Sequence, residues 1–397
     1  MTDSGKNKRI GNGKGGVRMK YPVNRERLIR RFADYVSYDS ETYHEKALGE
    51  RVVRDLKSLG LTVRTDGDDP AFLTAHPESH PNIYGFLPGN AEGDPVLLSA
   101  HLDTVSPGTG KQAVFHEDGT VTADGTTVLG ADDVSGLTAI LEALSVIREE
   151  QLTHPDIEVL ITTAEEAFCE GSKAFDFGLI RSKKAYVLDL DGAVGTAAIA
   201  APTILSFTAT VKGKAAHAGF RAESGINAIR IAATALMRLP SGRIDPESTV
   251  NFGTIHGGTL DNIVPDQVTV TGEVRSLSHE KAEKLLSEIS EVFRTATAEA
   301  GGSAAVTISE RVHAYHVEAE SNTVRHFMRA ATAAGLSKTD LITTCGGSDA
   351  NRLNEHGIGA IVVSCAMEDV HTTHEHSDVS ELVRAAELAT SLLTMRN

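Results

Sequence analysis

Residues 96–108 read VLLSAHLDTVSPG, an apolar run, Val96–Ala100, that breaks off at one imidazole and one carboxylate, His101 and Asp103, held two positions apart. A short, continuous apolar run of this kind suits a strand buried on both faces, the kind found in parallel sheets. In open α/β sheets, ligands gather just beyond the carboxyl ends of such strands. Three further apolar runs end in the same way: IEVLITTAEE in Glu165 and Glu166, AYVLDLDG in Asp189 and Asp191, and IGAIVVSC on a path towards His371. VLGADD, Val128–Asp133, differs, because it reads as a loop entering a helix. Acids and histidines from distant segments are therefore expected to converge on one rim, as a metal site requires.

Working outward, NRERLIRRFADYV (Asn24–Val36) has a helix start signal followed by apolar residues at helical spacing. YHEKALGERVVRDLKSLG predicts a second helix ending at Gly60, and LTVRTD and NIYGFLPG predict strands. GLTAILEALSVIREE, Gly136–Glu150, reads as a helix behind the ADD loop, followed by the strand IEVLITTA, a βαβ rhythm. Near residue 200 the rhythm changes. TILSFTATVKGKAAHAG alternates as a half-exposed strand, NAIRIAATALMRLP is helical, and STVNFGTIHGG and DQVTVTGEVRS look antiparallel; the helix HEKAEKLLSEISEVFRTATAEAG and the strand AAVTISERV follow. NTVRHFMRAATAAG, GAIVVSC and a closing helix ELVRAAELATSLLTM restore the first pattern. The expected fold is α/β: a mixed-sheet catalytic domain, residues 23–199 and 312–397, interrupted by a smaller α+β insert, residues 200–311, with one sheet and two helices on a single face. Residues 1–22 read as a disordered basic tail.

A chain of 397 residues with 41% hydrophobic content can bury more than one core. Its net charge of −16 argues against general nucleic-acid affinity, which needs a basic footprint. Residues 1–31 hold ten Lys/Arg and two acids, net +8, so the rest carries −16 − 8 = −24. A basic, Gly-rich start of this kind can touch RNA or anionic lipid, but a solvated tail is the favoured reading. No run approaches the ~18 apolar residues of a membrane span, and the N-terminus lacks the apolar core of a secretory signal. The three cysteines, Cys169, Cys345 and Cys365, are scattered and suggest a reducing, cytoplasmic setting. Cys169, just past the glutamate pair, reads as a packed small residue rather than a nucleophile.

Singly, each motif has a bland reading: a strand-end histidine is usually a hydrogen-bonded core residue, and paired acids usually cap helices or face solvent. Together they carry more, since metal ligands must be held rigidly at a sheet edge whereas solvated acids need not follow buried runs. Jointly, SAHLDTVSPG, TVLGADDVSGL, TTAEEAFCEGSKAFD, YVLDLDG, GKAAHAG, DNIVPDQVTVTGEVRS, GGSDANRLNEHGI and EDVHTTHEH resemble the co-catalytic dizinc metallopeptidases, a family of aminoacylases, carboxypeptidases and peptidase T relatives. The resemblance covers nearly the whole chain after residue 22 and is strongest to the peptidase T, or tripeptide aminopeptidase, branch.

The resemblance implies that His101 and Asp189 bind one metal, Glu166 and His371 the other, and that Asp132 bridges them. Two Zn²⁺ ions roughly 3.5–4 Å apart would lower the pKa of a shared water towards ~7; Co or Mn would also suit imidazole and carboxylate ligands. Glu165 would be the general base. Adjacent glutamates in extended chain point opposite ways, so a turn after Ala164 is expected. Asp103 would accept the second imidazole N–H of His101 and fix its tautomer. Asp133 is not needed as a ligand. In the insert, His217 resembles the family position that polarises the scissile carbonyl, Arg275 one that holds a substrate carboxylate, and Asn262 another substrate contact. The family histidine often reaches across a dimer. Gly346, Gly347, Ser348 and Asn351 form a Gly-rich turn that would present backbone N–H groups to substrate; it lacks the lysine of a phosphate loop. Departures from the pattern are Val134, where relatives commonly carry Lys, and competing donors: Asp191 beside Asp189, and His374 and His376 beside His371.

The expected activity is metal-dependent removal of the N-terminal residue from short peptides, with two divalent ions, Zn or alternatively Co or Mn, and a homodimer through the insert. The rival reading is a deacylase or carboxypeptidase with the same metal site. A binding protein that merely kept the fold is the weaker rival, because a decayed site would shed polar groups that are costly to bury unpaired. A tail that tethers the enzyme to a surface is a third reading.

Overall fold

Runs with no polar face must be covered on both sides, and the structure pairs them with one another. The computed structural model describes residues 21–66 and 70–395. Strands β1 (Thr62–Asp66), β2 (Asn82–Leu87), β3 (Val96–His101), β4 (Ile157–Thr162), β5 (Lys184–Leu190) and β6 (Thr196–Ala201) belong to one sheet. A second sheet contains β7 (Thr203–Lys212), β8 (Gly242–Asp245), β9 (Ser248–Gly257), β10 (Gln267–Ser276) and β11 (Ser303–Val312). The chain then returns to the first sheet through β12 (Tyr315–His316), β13 (Asp340–Thr343) and β14 (Gly359–Ser364).

The first sheet is nine-stranded and mixed, in the order β1-β2-β4-β3-β5-β14-β6-β12, with β13 beside β6. Its centre, β4-β3-β5-β14, is parallel, and every residue of β3 and β4 is buried. Parallel strands end on one edge. His101, Asp189 and the segments leading from Thr162 to Glu165 and from Ser364 to His371 therefore meet there.

Helices α1 (Arg25–Val36), α2 (Lys46–Ser58) and α3 (Ala131–Glu149) belong to the first layer system. All of α3 from Ala131 to Ile147 is buried. A helix apolar on every face must be enclosed, and α3 lies against β3, β5, α1 and the C-terminal helix Val379–Thr394. Within its regular turns the buried acid Glu142 accepts hydrogen bonds from the Asn24 backbone N–H (2.9 Å) and from Arg27 Nε (2.7 Å) and Nη2 (2.8 Å). The helix begins five residues earlier than its apolar pattern suggests, at Ala131 rather than Gly136, but Asp132 (φ −82°, ψ 102°) and Asp133 (φ −119°, ψ 38°) are not helical. A cis peptide joins these two residues.

The second sheet is antiparallel, β8-β9-β10-β7-β11. Helices α4 (Ala228–Met237) and α5 (His279–Glu299) share its core, in which Leu205, Phe207, Ala209 and Val211 of β7 pack with Ile231, Leu286 and Phe293. The alternating pattern of β7 thus turns one face to the helices, as period two requires. The two passages between the sheets are adjacent, since the Ala314 backbone N–H donates to Thr203 Oγ1 at 2.8 Å.

Sequence pattern missed β6, whose TAAIAA composition carries little strand propensity. It also missed a small sheet of Val114–Phe115, Thr120–Thr122 and His376–Asp378. Residues 1–20 of the expected tail lie outside the described residues; Tyr21 is buried and its hydroxyl pairs with Thr394 Oγ1 at 2.8 Å.

Close packing of α3 on β5 rests on Gly136, where a Cβ would stand 2.2 Å from the Leu188 carbonyl oxygen and 2.4 Å from Asp133 Oδ1. Gly136→Ala is expected to destabilise the protein by about 1–3 kcal/mol. Chemical unfolding of the two proteins checks this, and coincident midpoints would show that α3 can draw away from β5.

Candidate metal centre

Two groups of side chains meet at the sheet edge, His101–Asp132–Asp189 and Asp132–Glu166–His371. They share Asp132, and each of its oxygens faces a different imidazole. His101 Nε2 lies 3.0 Å from Asp132 Oδ1 and 3.7 Å from Asp189 Oδ1. His371 Nε2 lies 3.1 Å from Asp132 Oδ2 and 3.0 Å from Glu166 Oε1. A tetrahedral ion with ligands at about 2.1 Å separates those ligands by roughly 3.4 Å, so the observed spacings bracket what two such ions need. Glu166 Oε1 is also buried, and its approach to His371 Nε2 is not directed as a hydrogen bond. Four carboxylates, Asp132, Glu165, Glu166 and Asp189, face two imidazoles across this rim. Such an excess of poorly solvated negative charge suits divalent cations.

Each donor is held by its backbone element and by a further polar group. Ala164 takes φ +48°, the turn that the adjacent glutamates require, and Asp103 secures it. Asp103 accepts the backbone N–H of Glu165 (2.9 Å) and of Glu166 (3.1 Å), and Thr42 Oγ1 donates to it at 2.9 Å. Its Oδ1 stands 3.4 Å from His101 Nδ1, beside rather than along a hydrogen bond. Asp103 therefore ties the end of β3 to the glutamate turn as well as facing the imidazole. Asp133 turns away from the rim and accepts the backbone N–H of His101 (3.2 Å) and of Gly136 (3.0 Å).

Sequence reading passed over Glu375, which lies between the competing histidines. Its carboxylate accepts the Gly130 N–H at 2.7 Å and the Asp132 N–H at 2.9 Å, so it fixes the backbone that presents Asp132. Burial pushes its pKa up to about 7. Beneath the same loop, Gly130 adopts φ +73°, and a Cβ there would meet Lys111 Cε at 2.8 Å. Asp349 was also missed; it is buried, and Thr162 and Ser172 donate to it. Nothing local signals these roles, because every partner is distant in sequence.

The electrostatics follow from crowding. Burial opposes the ionised form of Asp132, but His101 and His371 hold it well below the usual carboxylate range. Asp132 and Glu166 raise His371 to about 10, and burial raises Asp189 to about 7. Glu165 is pushed well above its ordinary value by burial and then by the Asp189 charge. Its Oε1 accepts a weak hydrogen bond from Cys169 Sγ at 3.4 Å, and Cys169 is packed with Ile204 and Val312.

A cavity of about 190 Å³ opens on the ligands and is lined by Glu165, Thr344, Gly346, Gly347 and Ser348 as well. Asn351 lines neither this cavity nor the neighbouring one: its side chain donates to the carbonyls of Pro202 and His313 and accepts the Ser348 N–H, forming a capping box for the helix Asp349–Glu355. The expectation that Asn351 contacts substrate is thereby corrected, and the Ser348 N–H is likewise already engaged. Arg275 borders the flanking cavity of about 250 Å³, but its guanidinium is paired with Glu273, Nε–Oε1 2.7 Å. Ala218, next to His217, donates its backbone N–H to the Asn262 carbonyl, and both His217 and Asn262 are exposed and line neither cavity. Asp191 lines the metal cavity without joining either ligand group, and His374 and His376 join none among the described residues. A third cluster, His279–Glu310–His313, has its imidazoles stacked at 3.9 Å and 26°. Rings so placed aim their in-plane lone pairs side by side rather than at one point.

Comparison with known proteins gives a consistent pattern. Residues 199–301 match the family profile described as a peptidase dimerisation domain of the M20 type, and residues 82–230 match that of peptidase family M28. The uncharacterized protein YqjE of Bacillus subtilis is 39% identical over 371 residues, covering 94% of this chain and 98% of that protein. The crystal structure of aminopeptidase PepT from Bacillus cereus is similar with a TM-score of 0.85 and 38% identity, covering 94% of this chain and 98% of its own. A tripeptidase from Staphylococcus aureus is similar with a TM-score of 0.88 and 33% identity, at the same coverage.

Because Glu375 holds the backbone of the shared aspartate, Glu375→Ala is expected to weaken metal affinity by about 10–100-fold while leaving every ligand in place. Competition with a chromophoric chelator measures this. Affinity equal to the parent's would mean that Asp132 holds its place without Glu375.

Proposed function

Because the chain belongs to the M20 family of metallopeptidases, in the group that contains PepT, we propose that it removes the N-terminal residue from short peptides using two divalent cations. The observation that carries this reading is the pair of donor groups sharing Asp132. His101 and Asp189 would hold one cation, Glu166 and His371 the other, with Asp132 between them; Zn suits this donor set, and Co or Mn are the alternatives. Bound there, the cations would polarise the scissile carbonyl and acidify a water. Glu165, beside the ligands and not one of them, takes the proton from the attacking water and returns it to the leaving amine. Gly346 and Gly347 border the substrate cavity. Likeness to a PepT aminopeptidase and to a tripeptidase favours a free-amine substrate over the acylated substrates of a deacylase or carboxypeptidase.

Residues 23–199 and 312–397 are read as the catalytic domain and 200–311 as an insert for recognition and dimerisation. The insert leaves Phe220 (82%), Met237 (86%) and Leu260 (65%) exposed, and apolar exposure of this kind favours association. In a homodimer through this face, His217 and Asn262 would serve the partner's cavity. Sedimentation should then give twice the chain mass, and a monomer at working concentration counts against the insert as an interface. Among the described residues no helix is long and apolar enough to cross a membrane. The cytoplasmic setting rests on the free cysteines.

Glu165→Gln is expected to keep its metal content and lower kcat by about 10²–10⁴-fold. Elemental analysis and tripeptide turnover on the same preparation check it; full turnover would remove Glu165 from the reaction. Chelation should abolish cleavage of a free tripeptide, and restored Zn, Co or Mn should return it. Preference for the N-acetylated twin would favour the deacylase or carboxypeptidase reading.

A further inference from the structure

Beyond the metal cavity and its flanking cavity lies a third hollow of about 300 Å³, bordered by Pro202, Arg243, Glu247, Arg275, Thr344 and Cys345. It shares lining residues with the site already described. Thr344 also lines the metal cavity, and Arg275 also lines the cavity that flanks Glu165 and Glu166. A chain lying across the ligands would therefore run into this hollow, where it would meet two guanidinium groups.

The two arginines differ in what they can still bind. Arg275 gives Nε and Nη2 to Glu273, at 2.7 and 3.2 Å, and Nη1 to the Cys345 carbonyl at 2.9 Å. Its charge is answered inside the protein. Arg243 touches only neutral groups, the Pro246 carbonyl at 3.2 Å and Cys345 Sγ at 3.5 Å. Among the described residues no carboxylate forms an ion pair with it: Asp245 pairs with Lys281 at 2.9 Å, and Glu247, which also borders the hollow, pairs with Lys281 at 3.4 Å. An exposed guanidinium at the end of a substrate path, without a counter-ion, is suited to a planar carboxylate.

We infer that Arg243, rather than Arg275 alone, anchors the C-terminal carboxylate of the substrate, making this an enzyme for short peptides with a free C-terminus. The inference rests on the peptide-hydrolase reading above and not on which terminus is trimmed. Arg243 is a binding residue in it, contributing affinity and a limit on length. The hollow holds a chain end, whereas a longer peptide would have to carry its next residue past the guanidinium.

The test crosses two modifications on one peptide: leucylglycylglycine, its C-terminal amide, and the N-acetylated form of each. All four are assayed with the Zn-loaded parent, Arg243→Gln and Arg243→Lys. The parent is expected to prefer the carboxylate over the amide by roughly 10- to 100-fold in kcat/KM, mainly through KM. Arg243→Gln should bring that ratio close to one, and Arg243→Lys should leave an intermediate ratio, since it keeps the charge without the fork. Equal cleavage of acid and amide by the parent, or an unchanged ratio in Arg243→Gln, would overturn the inference. The acetyl comparison is separate: preference for the acetylated pair sinks the aminopeptidase reading, while the acid-to-amide ratio within that pair still tests Arg243. If no peptide is cleaved, calorimetric binding of glycylglycine and its amide to the same Zn-loaded proteins gives the ratio, and a ratio of one in the parent again overturns the proposal.

Discussion

Asp132 divides its two oxygens between two imidazoles, one at the end of β3 and one on the loop after β14. That division is the constraint on which the rest depends. Here Asp132 and Asp133 leave helical geometry at the head of a helix that is otherwise buried on every side, and this places the Asp132 carboxylate between the two imidazoles. The apolar body of α3 anchors the irregular head, the Gly136 approach to β5 sets its depth, and Glu375 accepts the backbone N–H groups that the irregular turn frees. Packing and polar satisfaction thus act on the same few residues.

Concentrating four carboxylates on one rim is unfavourable unless cations or hydrogen bonds answer them. The fold separates the two remedies. Carboxylates that serve the backbone, Asp103, Asp133 and Glu375, accept N–H groups; those that face the cavity retain oxygens without such partners. The distinction also explains why Asp133, adjacent to the shared aspartate, is not equivalent to it. A single step along the chain moves a carboxylate from the cavity to the backbone that supports His101.

The parallel centre of the sheet was legible because its strands are continuously apolar and end in chemistry-bearing residues; the same signal pointed to His101, Glu165, Glu166 and Asp189, which the fold brings to one rim. His371 lies on a longer path beyond β14, in a loop where Ala366, Asp369 and His371 all adopt positive φ, and only the resemblance distinguished it from His374 and His376. Family likeness likewise separated Asp132 from Asp133, which spacing alone left open. Glu375 and Asp349 escaped notice since their partners lie far away in the chain, and an isolated acid in a loop looks solvated. Asn351 failed for the opposite reason. Its position in a Gly-rich turn suggested contact with substrate, yet the turn needs its amide to hold Pro202, His313 and Ser348 together.

Chemistry and recognition are assigned to different kinds of support. The candidate metal donors come from the ends of buried parallel strands and the turns next to them, where surrounding packing fixes position closely. The arginines come from β8 and β10 of the second sheet, which joins the first through two adjacent passages at Thr203 and Ala314. Arg275 nevertheless reaches back to the Cys345 carbonyl, and Cys345 immediately precedes Gly346 and Gly347 at the metal cavity. The loop before the helix Asp349–Glu355 is therefore where the two sheets meet beside the metal cavity. A shift of the second sheet would move the guanidinium groups relative to the two candidate donor groups without disturbing any residue of those groups.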